Sequence, residues 1–377
     1  MDGGKMKNRC FKAGSVAALL FVSLSWPAGV ALGQSAAKGK AEWDQLVTAA
    51  KAEGKIILAG PPAQQYREGL TAFQKVFPEI KIEYSGASGR DFGPRILKER
   101  QAGQFLWDVY TGGPETANFQ LKPAGAFDPL APTLILPEVL DDSVWAGGFS
   151  DGWMDKEKRF IYAFSGRSSP QVHVNRDVVS EQELKRVEDL VEPKWRGKIS
   201  WNEPRATGSG SATAGFWLYL LGEDFLRKLL SQDIIAIRDL RQQVDWIVRG
   251  KYPLAVSLDD RFLAEFSEKG VGRNVKPLAP ETPAGGITRI SPGFGNAMLI
   301  NRAPHPNAAK LFINWLLSRE GQIAYVKATD INSRRLDVRE GPPETAPRRG
   351  VKYINVNKEE LAPNIEKAVK IANEILK

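Results

Sequence analysis

Turns rich in glycine, serine and arginine are the segments of this sequence best suited to chemistry. The turn at 207–211 reads T-G-S-G-S and precedes an apolar helical stretch, so N–H groups, hydroxyls and a helix N-terminus would meet there. The turns at 85–90 and 165–169 contain Arg90 and Arg167, and a guanidinium binds a carboxylate or phosphate through two parallel hydrogen bonds. This chemistry is the non-covalent capture of a small anion. The predicted ligand-binding residues are Gly60, Pro61, Ser88, Gly89, Arg90, Gly112, Gly113, Arg167, Ser168, Ser169, Thr207, Gly208, Ser209 and Asp259.

Residues for covalent or metal chemistry are few. His173 lies within V-H-V and His305 lies between two prolines, which favours structural roles for both. The sequence contains no G-x-S-x-G, no H-E-x-x-H and no G-x-x-x-x-G-K-[ST] motif. Asp259 and Asp260 are neighbours, and neighbours on a strand face opposite sides, so the pair would not share a site there. We therefore predict no enzyme activity, no catalytic residue, no bound metal and no cofactor, with a secreted hydrolase as the alternative class.

The N-terminus has the composition of a secretory signal. Four basic residues precede an apolar stretch at 13–26, and small residues follow, with a plausible cleavage site near Gly33. The apolar stretch is shorter than the roughly 20 residues that span a bilayer, although an uncleaved anchor is the alternative. We predict a signal peptide at 1–33 and a periplasmic protein.

Charge and cysteine content exclude several classes. The formal net charge is +8, of which residues 1–33 carry +3, and basic residues are mixed with acids along the rest of the chain. No segment interleaves bases with aromatics as a nucleic-acid surface would, so we predict no nucleic-acid partner. The single cysteine, Cys10, lies in the predicted signal, so the mature chain would have neither disulfides nor thiolate metal sites.

The elements that must position the turns alternate between strand and helix. Apolar strands at 56–59, 80–84 and 107–110 each lead into a small-residue turn and then a helical stretch. This order predicts βαβ units and a parallel sheet, at whose carboxyl edge ligands bind. A second α/β set follows an irregular stretch at 125–158. Its predicted strands are 159–164, 172–174, 199–201, 253–258 and 296–301, and its predicted helices cover 216–221, 311–316 and 365–376.

Several motifs in order make the chain similar to a known family. They are A-F-Q-K-V-F-P-E-I-K-I-E at 72–83, G-A-S-G at 86–89, E-R-Q-A-G at 99–103, V-N-R-D at 174–177, E-P-K-W-R-G-K-I at 192–199 and H-P-N-A-A-K-L-F-I-N-W-L-L-S-R-E-G-Q at 305–322. Over about residues 41–338 the chain resembles periplasmic solute-binding proteins of ABC importers, in the subgroup that contains the ferric-binding proteins.

The resemblance implies an α/β class protein with the type II periplasmic binding protein fold. In that fold two α/β lobes with mixed sheets are joined by hinge strands and close over a solute, and the closed form docks on the permease subunits of an ABC transporter. Mapped onto this sequence, lobe one would hold 34–165 and 284–318, and lobe two 166–283 and 319–377. The resemblance implies a monomer whose partners are a small-molecule solute and a permease.

The nature of the solute is less constrained than the fold. Ferric binders of this subgroup resemble each other in an adjacent tyrosine pair, and this chain has S-L-D-D-R at the matching 257–261 and Val174 where a further tyrosine would stand. Other members take up phosphonates, organic acids, thiamine or polyamines. From Arg90, Arg167 and the turns we predict a small anion, namely a phosphonate, a phosphate ester or an organic acid. Ferric iron is one alternative. A polyamine is another, and would be bound by Asp91, Glu115, Asp259 and Asp260, with Tyr110 or Trp201 for cation–π contact.

Overall fold

The computed structural model describes residues 28–168, 170–206, 208–278 and 287–376. Most of the predicted signal peptide, together with Ser169 and Thr207 of the predicted site, lies outside the described residues. The helices are α1 Ala28–Glu53, α2 Gln64–Thr71, α3 Phe73–Val76, α4 Gly89–Gln101, α5 Pro114–Thr116, α6 Pro137–Leu140, α7 Ser209–Leu221, α8 Glu223–Leu230, α9 Leu240–Val248, α10 Asp260–Glu268, α11 Pro306–Leu317, α12 Arg319–Thr329 and α13 Pro363–Ile375. None of the helices within the described ranges combines the length and apolarity that crossing a membrane requires.

Fourteen strands within the described ranges form three sheets. They are β1 Lys55–Gly60, β2 Lys81–Gly86, β3 Val109–Thr111, β4 Phe127–Asp128, β5 Tyr162–Ala163, β6 Arg167–Ser168, β7 Val172–Asn175, β8 Ile199–Asn202, β9 Ile235–Ile237, β10 Leu254–Val256, β11 Val275–Pro277, β12 Ile287–Ser291, β13 Asn296–Ile300 and β14 Lys352–Ile354. Single turns of 3-10 or π-helix connect many of these elements.

The first sheet has the order β2-β1-β3-β13-β4, and β5 also pairs with β13. Strand β1 is parallel to both β2 and β3, whereas β13 is antiparallel to β3. The predicted βαβ series is therefore confirmed, and the added antiparallel strand makes the sheet mixed. As a result, the turns after β1, β2 and β3 lie at one edge of the sheet.

Helices α1, α2, α11 and α12 cover the first sheet. Phe73, Phe312 and Trp315 meet in its core, and the ring centroid of Phe73 lies 5.4 Å from each of the other two. Burying a side chain such as Phe73 contributes roughly 1.5–3 kcal/mol. Helix α12 packs on α2 where Gly69 allows close approach, since a Cβ there would lie 3.3 Å from the Tyr325 Cα. This packing fixes the C-terminal end of α12 beside the first sheet.

The second sheet has the order β11-β7-β10-β8-β9, and β8, β9 and β10 run parallel. Helix α7 is apolar on all sides because it packs between this sheet and α13. Trp201 of β8 meets Trp217 of α7 with ring centroids 5.2 Å apart. On the other side, Gly215 allows α13 to approach, since a Cβ there would lie 2.8 Å from the Ile365 Cα.

A small sheet of order β14-β12-β6 connects the two larger ones. The chain passes from β5 of the first sheet through β6 to β7 of the second, and β12 leads directly into β13 of the first sheet. Strands β6 and β12 pair antiparallel, so these two passages lie side by side. The strands that a hinge would require are thus adjacent. The lobe boundaries at 165, 283 and 318 stay a prediction, and the packing of α12 on α2 favours placing 319–329 with lobe one.

Candidate functional site

A cavity of about 730 Å³ lies where the three sheets meet. Its walls come from α2, α5 and the loop before β13 on the first-sheet side, from β6 and β12, and from the starts of α7 and α10 on the second-sheet side. The polar and aromatic residues of the lining include Tyr66, Glu115, Arg167, Ser209, Ser211, Asp260, Arg289, Ser291, Phe294, Asp330 and Asn357. The cavity is large enough for a small organic molecule.

Arg289 of β12 is a buried cation in the lining of this cavity. It is 8% exposed, and its Nε donates a hydrogen bond to Gln171 Oε1 at 3.0 Å. Within the part of the chain that the structure describes, no carboxylate forms an ion pair with it. Burial, and to a smaller extent the charge of Arg167, lower the pKa of Arg289 from the ordinary arginine value to about 10. The side chain therefore stays positive at neutral pH, and it does so without a counter-ion among the described residues.

A chain of hydrogen bonds fixes the Arg289 guanidinium. Ser257 Oγ donates to Thr213 Oγ1 at 2.8 Å, and Thr213 Oγ1 donates to Gln171 Oε1 at 2.7 Å. The same Gln171 oxygen accepts from Arg289, so it links the guanidinium to the second turn of α7. Ser257 has a φ of +57°, a strained conformation for a residue with a side chain. The network therefore holds the guanidinium in one orientation.

Arg167 of β6 lies beside Arg289 and contacts an acidic residue. Its Nη2 lies 3.3 Å from Asp260 Oδ2, and the other Asp260 oxygen lies 3.1 Å from His173 Nε2. His173 is buried, whereas the Asp260 and Arg167 side chains are 23% and 34% exposed. Both Arg167 and Asp260 line the cavity. The two guanidinium groups are therefore unequal, because among the described residues a carboxylate pairs with Arg167 and none pairs with Arg289.

The N-terminus of α7 forms part of the same wall. Gly208 and Ser209 line the cavity, and the first N–H groups of a 13-residue helix have no acceptor within the helix. A Cβ at Gly210 would lie 1.9 Å from the Asn202 carbonyl oxygen, so only glycine lets α7 start this close to β8. The turn places the positive end of the helix dipole at the cavity, where it favours an anion.

The opposite wall is aromatic and acidic. The rings of Tyr66 and Phe294 meet edge to face with centroids 5.7 Å apart. Glu115 accepts a hydrogen bond from Asn357 Nδ2 at 3.3 Å, and Asp330 caps the C-terminus of α12 in a left-handed conformation. These groups add an apolar surface and two carboxylates to the lining of the cavity.

Three predicted site residues line this cavity, namely Arg167, Gly208 and Ser209. Ser168 is adjacent on β6 and pairs with Ile290, and Asp259 directly precedes α10. The lining also includes residues that the prediction omitted, above all Arg289 in the strand sequence I-T-R-I-S. A lone arginine in a strand gives no sequence signal of burial, although the neighbouring Gly-rich turn could have directed attention to it. Asp260, considered only as a catalytic partner or amine ligand, also lies in the lining.

The remaining predicted residues gather at the carboxyl edge of the first sheet. A Cβ at Gly60 would lie 2.5 Å from Tyr84 Oη, and a Cβ at Gly112 would meet the Tyr110 ring. Ser88 Oγ donates to Asp91 Oδ2 at 2.6 Å, which occupies that hydroxyl.

Six of these edge residues are not part of the cavity lining. They are Gly60, Pro61, Ser88, Gly89, Gly112 and Gly113. Arg90 lies in the first turn of α4. A Cβ at Gly113 would lie 4.0 Å from the ring of Phe294, which lines the cavity. Their part in binding stays a prediction.

Within the described ranges, no group of three or more His, Cys, Asp and Glu side chains is placed to hold a metal ion. Among the residues lining the cavity, the one phenol is that of Tyr66.

The comparisons with known proteins agree with this architecture. A family model described as bacterial extracellular solute-binding protein matches residues 59–323. An iron-binding protein of Trichodesmium, solved with iron and citrate, superposes with a TM-score of 0.66 at 17% identity, covering 86% of this chain and 99% of the other. The Bordetella ferric binding protein gives 0.65 at 18% identity, covering 85% and 98%. Iron-bound HitA from Pseudomonas aeruginosa gives 0.59 at 16% identity, covering 86% and 99%. The predicted type II periplasmic binding fold is confirmed.

Proposed function

Because the chain belongs to the bacterial extracellular solute-binding protein family, we propose that it captures a small anion in the cavity and delivers it to an ABC permease. The proposed solute is a phosphonate, a phosphate ester or an organic acid. The observation that carries this proposal is the buried Arg289, which lines the cavity and has no counter-ion among the described residues.

A buried charge without a partner lowers the stability of the folded state. Such a group is therefore expected where a bound ligand supplies the opposite charge. The ordered guanidinium, the adjacent Arg167 and the first turn of α7 would then each contribute to one anionic group. Because the hydrogen bonds through Gln171 already orient Arg289, little conformational entropy would be lost on binding.

Lobe closure is the proposed means of capture. The cavity is lined from both large sheets, so a solute contacts all walls only when the two lobes are close together. A ligand that binds the closed form better shifts the population towards it. The adjacent strands β6 and β12 would form the hinge. We further propose that the protein is an exported periplasmic monomer and that the closed form is recognised by the permease.

Iron and polyamines are the competing solutes. The solved structures named above include proteins in complex with iron. This chain has S-L-D-D-R at 257–261, near the position where the resemblance places the tyrosine pair of the ferric binders. A polyamine is favoured by one feature, the wall on which Glu115 and Asp330 accompany the Tyr66 and Phe294 rings. Neither solute accounts for a buried guanidinium in the lining.

The test is to identify what binds and whether Arg289 holds it. The protein, exported natively, is analysed by native mass spectrometry, and released solutes are identified and titrated back by calorimetry. We expect an anion that is recovered unchanged after incubation and whose affinity falls at least a hundredfold in Arg289→Gln. The control is Arg249→Gln, which removes a 74% exposed guanidinium that is not part of the cavity lining.

The outcomes separate the classes clearly. Binding of amines alone, or of ferric iron with equal affinity in wild type and Arg289→Gln, would refute the anion proposal. Conversion of the solute would instead indicate an enzyme.

A further inference from the structure

Asp260 is an acidic residue in a cavity proposed to bind an anion. We propose that it is a resident counter-ion, which occupies Arg167 in the empty cavity and restricts the solute to a singly charged anionic group. This inference rests on the proposed function, because it specifies the charge of the group that meets Arg289.

The two oxygens of Asp260 make contacts of different strength, one with a buried partner and one with a partly exposed partner. One oxygen lies 3.1 Å from the Nε2 of His173, whose side chain is 3% exposed. The other lies 3.3 Å from Arg167 Nη2, near the upper limit of a hydrogen bond, and the Arg167 side chain is 34% exposed. The carboxylate is therefore anchored by His173 and only loosely held by Arg167.

The buried histidine fixes the charge of this arrangement. His173 Nδ1 has no hydrogen-bond partner among the described residues. A proton on that nitrogen would be a buried donor without an acceptor, so the favoured form carries its proton on Nε2 and donates it to the carboxylate. An uncharged His173 leaves Asp260 as an anion, and Arg167, Arg289 and Asp260 together carry one net positive charge.

That net charge determines which anion fits. A singly charged group can bridge Arg289 and Arg167 while Asp260 keeps its bond to His173, and the charges of these two arginines, Asp260 and the solute then sum to zero. A doubly charged group would leave one excess negative charge beside Asp260, in a cavity that Glu115 and Asp330 also line. The expected solute therefore carries a carboxylate, a sulfonate or a phosphonate in its singly ionised form.

The experiment compares two tetrahedral oxyanions whose charges do not change between pH 6 and pH 9. Methanesulfonate carries one negative charge and sulfate carries two. Each is titrated at millimolar concentration against the folded full chain by calorimetry and by thermal unfolding. Sulfate also stabilises proteins by exclusion from their surface, so Arg289→Gln provides the baseline for both anions.

The decisive variant is Asp260→Asn, which keeps the shape of the side chain and removes its charge. We expect sulfate affinity to rise at least tenfold and methanesulfonate affinity to change less, because a unit charge a few ångströms away has an effect of that order. Asp224→Asn, an exposed acid of α8 outside the cavity lining, is the matched control and should leave both affinities within twofold.

Arg167→Gln provides a second test should Asp260→Asn fold poorly. In this variant the charges of Asp260 and Arg289 cancel, so the binding of doubly charged sulfate should weaken more than the binding of methanesulfonate. An unchanged ratio of the two affinities in both variants, or weaker binding of both anions in Asp260→Asn, overturns the counter-ion inference while leaving the anion site in place. If neither anion binds any variant more tightly than Arg289→Gln, the proposed anion site and this inference fail together.

Discussion

Replacing Arg289 by methionine should stabilise the protein in the absence of solute while abolishing anion binding. Most substitutions of buried residues destabilise a fold, so the predicted sign is opposite to the usual one. Methionine is flexible and similar in length, so it can fill the space of the arginine stem. The prediction follows from the burial of a charge that no described carboxylate neutralises.

The size of the effect can be estimated from the pKa of Arg289. It falls from the ordinary arginine value to about 10 in the folded state. Since each pKa unit corresponds to 1.36 kcal/mol, burial of the charge opposes folding by about 3 kcal/mol. Because the folded-state pKa is depressed for a cation, the penalty is fully present below pH 10 and therefore at every physiological pH. Loss of the hydrogen bond to Gln171 removes about 1 kcal/mol. The expected net gain is about 2 kcal/mol.

Urea unfolding followed by tryptophan fluorescence measures this change, with and without a saturating anion. The variant should unfold at higher urea than the wild type when no anion is present, and an added anion should no longer stabilise it. Arg249→Met, at an exposed ion pair with Asp245, should change stability by no more than about 0.5 kcal/mol. A loss of more than about 1 kcal/mol in Arg289→Met would refute the reasoning, since it would show that the charge is compensated within the protein.

Two further substitutions test the supports of the site. Gln171→Glu should place a carboxylate within about 3 Å of Arg289 Nε, so we expect it to raise the unfolding midpoint and to lower anion affinity at least tenfold by calorimetry. Unchanged affinity would show that Arg289 does not bind the anion. Gly210→Ala should lower the free energy of unfolding by about 3 kcal/mol in urea unfolding, because its Cβ would lie 1.9 Å from the Asn202 carbonyl oxygen. Gly208→Ala is the control and should be nearly neutral, because a Cβ there has no atom within 4 Å. Equal effects in the two variants would show that α7 does not depend on this close approach.

Much of the fold could be predicted from the sequence because its strands and helices have strong periodic patterns of apolar residues. The strands at 56–59, 80–84 and 199–201 and the helices at 216–221 and 311–316 all have counterparts in the structure. Apolar runs and small-residue turns report local burial, which is the property that fixes these elements. What the periodicity did not reveal is that β6, β12 and β14 form a separate sheet, because such short strands pair through tertiary contacts alone.

The candidate site was only partly predictable for a related reason. The 207–211 turn and Arg167 have recognisable chemistry, and both contribute to the lining. Arg289 has the same residue type as many solvent-exposed arginines, and only the packing around β12 distinguishes it. For Asp260, the strand argument did not apply, because Asp260 begins helix α10 and only the packing of that helix places it in the cavity lining. Its neighbours His173 and Arg167 lie 87 and 93 residues away along the chain.

The placement of both guanidinium groups on the connecting strands has a mechanical consequence. Points on a rotation axis move least when two bodies turn about it, and β6 and β12 are the strands through which the lobes would turn. A solute bound there would keep its contact with the two arginines while the lobes open. It would lose only its contacts with lining residues that lie farther from the axis. Release to a permease would then require more than separation of the lobes. The docking partner would have to distort the axis itself or present a stronger competitor for the arginines.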